Sequence, residues 1–313
     1  ADEGGMHAIW TGEHHGMSFT IAPNPFLNLV DLARRTKNVR LGTGTVIAPF
    51  WHPIKLAGEA AMADIIMDGR LDLGIARGAY SFEYERVMPG LDAWNAGGRM
   101  RELIPAIKGL WEGDYAHDGQ YWQFPATTSA PKPLQKPVPV WVAARDPNSH
   151  DFAVGQGCNV QVTPLHMAHD EVVSLMERFN AAVANHPEVE RPKIMILQHG
   201  YVAESAADAD LAADELNSFY NYFGAWFLNK RHIEQGMIAP LTPEEIAAHP
   251  FYSPKLMRDN LLIGEAPEVI ERLKKIEALG YDEFSLWIDS GMSFERKRAS
   301  LERFIADVMP AFA

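Results

Sequence analysis

The stretch Gly69-Arg70-Leu71-Asp72-Leu73-Gly74-Ile75-Ala76-Arg77-Gly78 is a run of aliphatic and small residues bracketed by glycine and arginine. Its centre, Leu71 to Ala76, has the length of a strand but does not alternate strictly between apolar and polar residues. That pattern suits a strand of a parallel sheet, whose two faces are both covered by helices. Similar runs occur at Ala8 to Glu13, Val39 to Ala48, Val138 to Ala144, Asn159 to Thr163, Lys193 to Ala203 and Phe284 to Ile288. Helical patterns fall near Phe26 to Thr36, Ile54 to Met67, Arg99 to Trp111, Ser149 to Gln156, Glu171 to Val183, Asp208 to Leu228 and Pro267 to Leu279, with a last one from Phe294 to Phe312. The alternation predicts repeated βα units, and a (β/α)8 TIM barrel forming one domain over residues 1–313 accommodates them. Seven strands are visible, and the chain opens on Ala1-Asp2-Glu3-Gly4-Gly5, which reads as a helix tail entering a turn; a first strand before Ala1 is expected. An open doubly wound sheet is the competing architecture.

At 313 residues, with 47% hydrophobic and 22% charged residues, the chain can bury a large core. The net charge of −13 is spread along the sequence and argues against nucleic acid or an anionic membrane as partner. Cys158 is the single cysteine, so no internal disulfide can form, and a reducing, cytoplasmic location is expected. It reads as a small buried residue. No signal-peptide pattern and no long apolar run occur. Two long connections, Tyr80 to Gly98 and Arg231 to Asn260, are rich in Gly, Pro and aromatic residues and have the character of functional lids.

Several common chemistries are disfavoured. Gly42-Thr43-Gly44-Thr45-Val46-Ile47 opens like a dinucleotide fingerprint but has Ile47 at the third glycine. No Walker A sequence, nucleophile elbow or cysteine pair for zinc is found. The segment Trp10-Thr11-Gly12-Glu13-His14-His15 puts two histidines at a strand end, where barrel enzymes gather catalytic groups. Strand alternation predicts that one faces the barrel mouth and the other faces away, which disfavours a shared metal. His166 and His169 read as part of a solvated surface loop.

Glu13-His14-His15 followed by Pro23-Asn24-Pro25 resembles the same region of bacterial luciferase α subunits. So do Leu41 to Pro49 running on to His52-Pro53, the Gly69 to Gly78 stretch, and the closing Asp307-Val308-Met309-Pro310. The resemblance spans nearly the whole chain and implies a flavin-dependent monooxygenase holding FMN at the carboxyl ends of the strands. It implies that His14 is catalytic, as a general base or as a stabiliser of the oxygenated flavin. By the same resemblance, Gly44-Thr45 is a cis peptide under the flavin ring, Arg77 binds the phosphate and Ser149 contacts it, with Arg99 as a further contact. Arg145 and Asp146 stand where the family has an acidic residue and a serine, so the phosphate site is rebuilt there, with Arg145 adding positive charge. Ala76 replaces a reactive cysteine, which speaks against light emission.

The resemblance further implies reduced FMN supplied by a separate reductase, O2 as co-substrate, and a homodimer. The dimer is expected through the Phe26 to Thr36 and Ile54 to Met67 helices, where Ala57, Ala60, Ala61 and Ala63 allow close approach. Trp10, Phe50, Trp51, Tyr80, Phe82, Tyr84, Trp94 and Trp226 lie in predicted rim segments and suggest an apolar or aromatic substrate. The alternatives are a deazaflavin-dependent oxidoreductase and a non-catalytic subunit like the luciferase β chain; the presence of His14 and Arg77 disfavours the latter.

Overall fold

In the computed structural model, residues 1–228, 231–248 and 252–312 are described. They fall into two units, one of Ala1–Ala143 with Glu234–Met237 and the other of Ala144–Ile233 with the chain from Ile238 onward.

The first unit is built on parallel strands in the order β1 (Ala8–Thr11), β2 (Arg40–Thr43), β4 (Leu71–Ala76) and β7 (Val140–Ala143). Between β2 and β4 lies β3 (Val46–Ile47), which also pairs with β4. The helices are α1 (Pro25–Arg35), α2 (Pro53–Ile66), α3 (Ser81–Val87) and α4 (Ala93–Glu112), and β5 (Tyr115–Asp118) forms an antiparallel hairpin with β6 (Gln123–Thr127). Local chemistry explains the helix starts. Asn24 caps α1 by accepting from Phe26 N at 3.0 Å, and Asp92 caps α4 by accepting from Asn95 N at 2.7 Å. Pro25 and Pro53 occupy the first helical positions, where no N–H is needed.

Three boundaries depart from the sequence reading. The predicted Val39 to Ala48 strand is cut in two at Gly44–Thr45, whose peptide is cis. Helix α4 begins well before Arg99, because Gly97 and Gly98 masked its first turns; a Cβ on Gly98 would meet the Tyr121 hydroxyl at 2.3 Å. The Tyr80 to Gly98 connection contains α3 and is largely helical rather than a free lid.

The second unit contains α5 (Pro147–Gly155), β8 (Asn159–Val162), α6 (His169–Asn185), β9 (Ile194–Val202) and α7 (Ala206–Leu228). The short β10 (Ile233–Glu234) and β11 (Met237–Ile238) have one residue in each unit; the second unit continues with α8 (Pro243–Ala248), α9 (Pro254–Asn260), β12 (Leu262–Gly264), α10 (Ala266–Ala278), β13 (Glu283–Trp287) and α11 (Phe294–Arg303). Beyond α11 the helical path continues as a π-helical turn to Val308 and a tight turn to Phe312. Strand β9 pairs in parallel with β8, β12 and β13. Strand β12 escaped the sequence reading because three residues carry no periodicity. The predicted Arg231 to Asn260 connection holds β10, β11, α8 and α9, while its residues 249–251 lie outside the described residues.

Ala57, Ala60, Ala61 and Ala63 are fully or almost fully buried within the chain itself, and Ala57 O accepts from Trp111 Nε1 at 2.9 Å. The alanine row therefore seats α2 on its own unit rather than on a second subunit. What α1 and α2 leave exposed is Leu27, Met62, Ile65 and Ile66. Cys158 is buried, as its sequence context predicts. Among the described residues no helix is long and apolar enough to cross a membrane.

Candidate functional site

Strand β1 stops at Thr11, and Glu13, His14 and His15 follow it. Its partner β2 also ends there, at the Gly44–Thr45 peptide: Gly44 N donates to Thr11 O at 2.7 Å and Glu13 N to Thr45 O at 3.1 Å. His14 N then donates to Ala22 O at 3.3 Å, so the backbone has left the pleat. Strand alternation therefore does not govern the two histidines, although their rings go to different partners, His14 to Glu83 and His15 to Glu13. One carboxylate, Glu83 of α3, holds both: its Oε2 lies 2.9 Å from His14 Nδ1, and its Oε1 accepts from His15 N at 2.7 Å.

Glu83 is 1% exposed, whereas the His14 ring keeps 17% of its side-chain surface open. The rings of Phe19 and Tyr80 pack on the His14 imidazole, each with a centroid separation of 5.3 Å. Glu83 as an ionised carboxylate only accepts, so this contact favours the His14 tautomer with its proton on Nδ1 and turns Nε2 away from the carboxylate.

His15 belongs to a different assembly. Its Nε2 lies 2.6 Å from Glu13 Oε1, while Glu13 Oε2 accepts from Ile47 N and Trp51 Nε1, both at 2.8 Å. Glu13 is 2% exposed and ties the end of β1 to β3 and to the turn after it. The hydrogen bond from Glu13 raises the His15 pKa above its ordinary value. Neither carboxylate was singled out from the sequence. Glu13 adjoins the histidines, but nothing local distinguishes Glu83 from Glu85 two residues on, which is exposed.

The cofactor residues expected in this unit are two strand-end features. Gly44 is exposed, and a Cβ there would press on Trp10 Cβ at 3.3 Å, so glycine leaves the peptide face open. On neighbouring β4, Arg77 follows the strand end and is exposed, with one long hydrogen bond of 3.5 Å to Ala93 O. Tyr84 OH lies 2.8 Å from Arg77 O and 2.9 Å from Gly78 O, which pins the turn that carries the guanidinium. An open flat peptide and an exposed guanidinium, each following a strand end of the same sheet, are a donor set that fits FMN, with a planar ring and a dianionic phosphate.

Arg99 is not brought to Arg77. The Gly97 side of α4 faces Arg77, where a Cβ would stand 4.0 Å from its Cδ, and Arg99 sits two residues, about 200°, further round the helix. Its guanidinium instead lies over Tyr121 and Trp122, at 5.0 and 5.4 Å from the ring centroids.

Arg145, Asp146 and Ser149 come together in the second unit at the start of α5. Asp146 is the N-cap and accepts from Ser149 N at 3.1 Å; Ser149 Oγ lies 2.8 Å from Asp146 O and 3.0 Å from Asp146 Oδ2 and accepts from Arg145 N at 3.1 Å. Burial works to raise the Asp146 pKa, but the Ser149 hydrogen bonds outweigh it and hold the carboxyl below its usual value. Ser149 is buried with its hydroxyl engaged, and Arg145 is exposed, 3.8 Å from Glu171. The helix amino terminus thus already carries one negative charge.

Most of the predicted rim aromatics pack. Trp10 lies over Gly42, where a Cβ would come within 2.1 Å, Trp226 is wholly buried, and only Trp94 is broadly exposed, at 85%. His166, expected on a surface loop, is half-buried among Tyr220 and Tyr252.

Residues 1–283 match the family model described as luciferase-like monooxygenase. The chain is 71% identical over 314 residues to the flavin-dependent trigonelline monooxygenase, oxygenase component, of Acinetobacter baylyi, covering 100% of this chain and 87% of that protein. The crystal structure of monooxygenase RslO1 from Streptomyces bottropensis matches with a TM-score of 0.81 at 27% identity, over 100% of this chain and 91% of that one. The oxygenating constituent of 3,6-diketocamphane monooxygenase from Pseudomonas putida, in complex with FMN, shares the fold with a TM-score of 0.77 at 19% identity, over 99% and 90% of the two chains.

Proposed function

The chain belongs to the luciferase-like monooxygenase family and is a flavin-dependent monooxygenase, the oxygenase component of a two-component system; from that premise we propose FMN as its flavin and trigonelline as its substrate. Its fold class is the parallel α/β barrel of that family, and its partners are a flavin reductase and O2. When bound, reduced flavin supplies the oxygen activation. The deazaflavin and non-catalytic alternatives are set aside.

The observation that carries the assignment of roles is the His14–Glu83 pair at 2.9 Å, set at a strand end beside the exposed Gly44 peptide. Glu83 orients the imidazole, so that His14 presents its Nε2 side as the acid/base group beside the flavin. Arg77 holds the phosphate. In the second unit, Arg145 offers a positive group, while Asp146 and Ser149 are engaged with each other at the α5 amino terminus. Arg99 orders the β5–β6 hairpin through Tyr121 and Trp122 and supports the site from a distance.

Trigonelline is an N-methylpyridinium carboxylate, an aromatic ring with a fixed positive charge, which keeps the aromatic half of the expected apolar or aromatic substrate and adds charge to it. We further propose one barrel domain, a cytoplasmic location consistent with a lone buried cysteine, and a homodimer using Leu27, Met62, Ile65 and Ile66 as its apolar face. The test supplies reduced FMN, isotopically labelled O2 and trigonelline to the purified chain. Substrate-dependent oxygen uptake with one labelled oxygen in the product is expected; uptake that is independent of trigonelline, ending in free peroxide, overturns the substrate assignment.

A further inference from the structure

The second unit contains a wall of aromatic rings unlike an ordinary aliphatic core. Tyr220, Tyr252 and His166 form a closed triangle with centroid separations of 5.1 to 6.0 Å. His199 joins it edge-on to Tyr220 at 5.3 Å and stacks on Trp287 at 3.9 Å and 17°. Phe219 of α7 meets the His199 ring at 5.4 Å. The wall has depth: Tyr220 and His199 are buried, whereas His166, Phe219, Tyr252 and Trp287 are only partly buried.

Several features fix this arrangement. Gly224 on α7 leaves room for the Tyr252 hydroxyl, which a Cβ would meet at 2.7 Å. Leu165, immediately before His166, has a φ of +54°, a left-handed conformation unfavourable for a bulky residue, and Asn260 Nδ2 donates to His166 O at 2.9 Å. Left-handed backbone at a leucine persists only where the surroundings impose it. His199 Nδ1 lies 3.0 Å from Tyr220 OH, and the Asp289 backbone also hydrogen-bonds the ring, so the imidazole is held in one orientation.

The wall is electrically suited to a cation. Burial pushes the His199 pKa down to about 3 and lowers that of His166, so both imidazoles are neutral near pH 7. Burial likewise raises the pKa of Tyr220 and of Tyr252, which stay protonated. The Arg145 guanidinium also bears on His166, but it is drawn toward Glu171. Neutral aromatic faces attract a cation through the ring quadrupole, and quaternary nitrogen, which cannot donate a hydrogen bond, is bound in this way.

We propose that the partly buried rings of Tyr252, Phe219, His166 and Trp287 form a recognition site for a methylated aromatic cation, the N-methylpyridinium moiety of the substrate. This deepens the trigonelline reading and rests on it for the identity of the ligand. The wall selects the charge of the ring rather than its shape.

Isothermal titration of the purified chain at pH 8 with N-methylpyridinium, and with neutral pyridine as the ring of matching size, separates charge from shape. Wild-type protein is expected to bind the cation at least about tenfold more tightly than pyridine. Tyr252→Leu should erase most of that preference, and Tyr252→Phe should retain it. Phe219→Leu provides a second reading if Tyr252→Leu fails to fold by circular dichroism. Equal affinity for the two probes, no saturable cation binding, or folded leucine variants with the wild-type preference would each overturn the proposal. Cation preference together with no trigonelline-dependent oxygenation keeps the aromatic site and removes the substrate assignment instead.

Discussion

His14 Nδ1 lies 2.9 Å from Glu83 Oε2, although the two residues are 69 positions apart and sit on different elements. The carboxylate is buried and the imidazole is partly open, so the one fixes the orientation in which the other meets a ligand. His14→Ala is expected to lower turnover by about 10² to 10⁴ fold with the fold intact. Glu83→Gln keeps an acceptor oxygen and loses the charge; turnover should fall by about tenfold or more with the fold intact. Unchanged turnover in a folded Glu83→Gln would show that the carboxylate does not act through His14.

His15 tests stability rather than chemistry. Its pKa is raised in the folded chain by the Glu13 hydrogen bond, so the folded state binds the proton more tightly than the unfolded state. That contribution is fully present below about pH 6.5, the unfolded value, and is lost as pH rises through the higher folded value. Urea midpoints of wild type should therefore decline across that window more than those of His15→Gln. Identical pH dependence in the two proteins would remove the Glu13–His15 bond from the stability account.

Arg77 is exposed, and Tyr84 holds its turn from behind. Replacing Arg77 by Ala should weaken FMN binding by roughly 1.5 to 3 kcal/mol, the range for a hydrogen bond to a charged group. Arg99→Ala should leave FMN affinity closer to wild type, because its guanidinium lies over Tyr121 and Trp122. Equal losses from the two substitutions, measured by flavin fluorescence titration, would contradict this division.

Leu27, Met62, Ile65 and Ile66 remain exposed on α1 and α2. If they form the subunit interface, Met62→Asp with Ile66→Glu should convert a dimer to a monomer in sedimentation velocity without loss of helical signal. Substituting glutamate for Ile21, which is exposed but outside both helices, should not. A wild-type protein that sediments as a monomer at micromolar concentration would refute the interface.

The sequence by itself determined the alternation of strands and helices, because a strand covered on both faces needs a continuous apolar run and an amphipathic helix needs a repeat of 3.6. Leu71–Ala76 has the predicted bounds, and Arg77 at its end was legible for the same reason. The strand-end position of His14 was legible in the sequence, whereas the break at Gly44–Thr45 and the choice of His14 over His15 came only through the family resemblance, since no local pattern marks them. Tertiary structure alone decided that β1 ends before both histidines, that Glu83 rather than Glu85 reaches them, and that Arg99 turns to Tyr121. Each of these depends on which side of an element meets which neighbour across tens of residues, and periodicity fixes a face without naming its partner. The aromatic wall is a product of tertiary structure in the same way: His166, His199, Tyr220, Tyr252 and Trp287 are scattered along the sequence, and parallel strand register together with α7 packing gathers them.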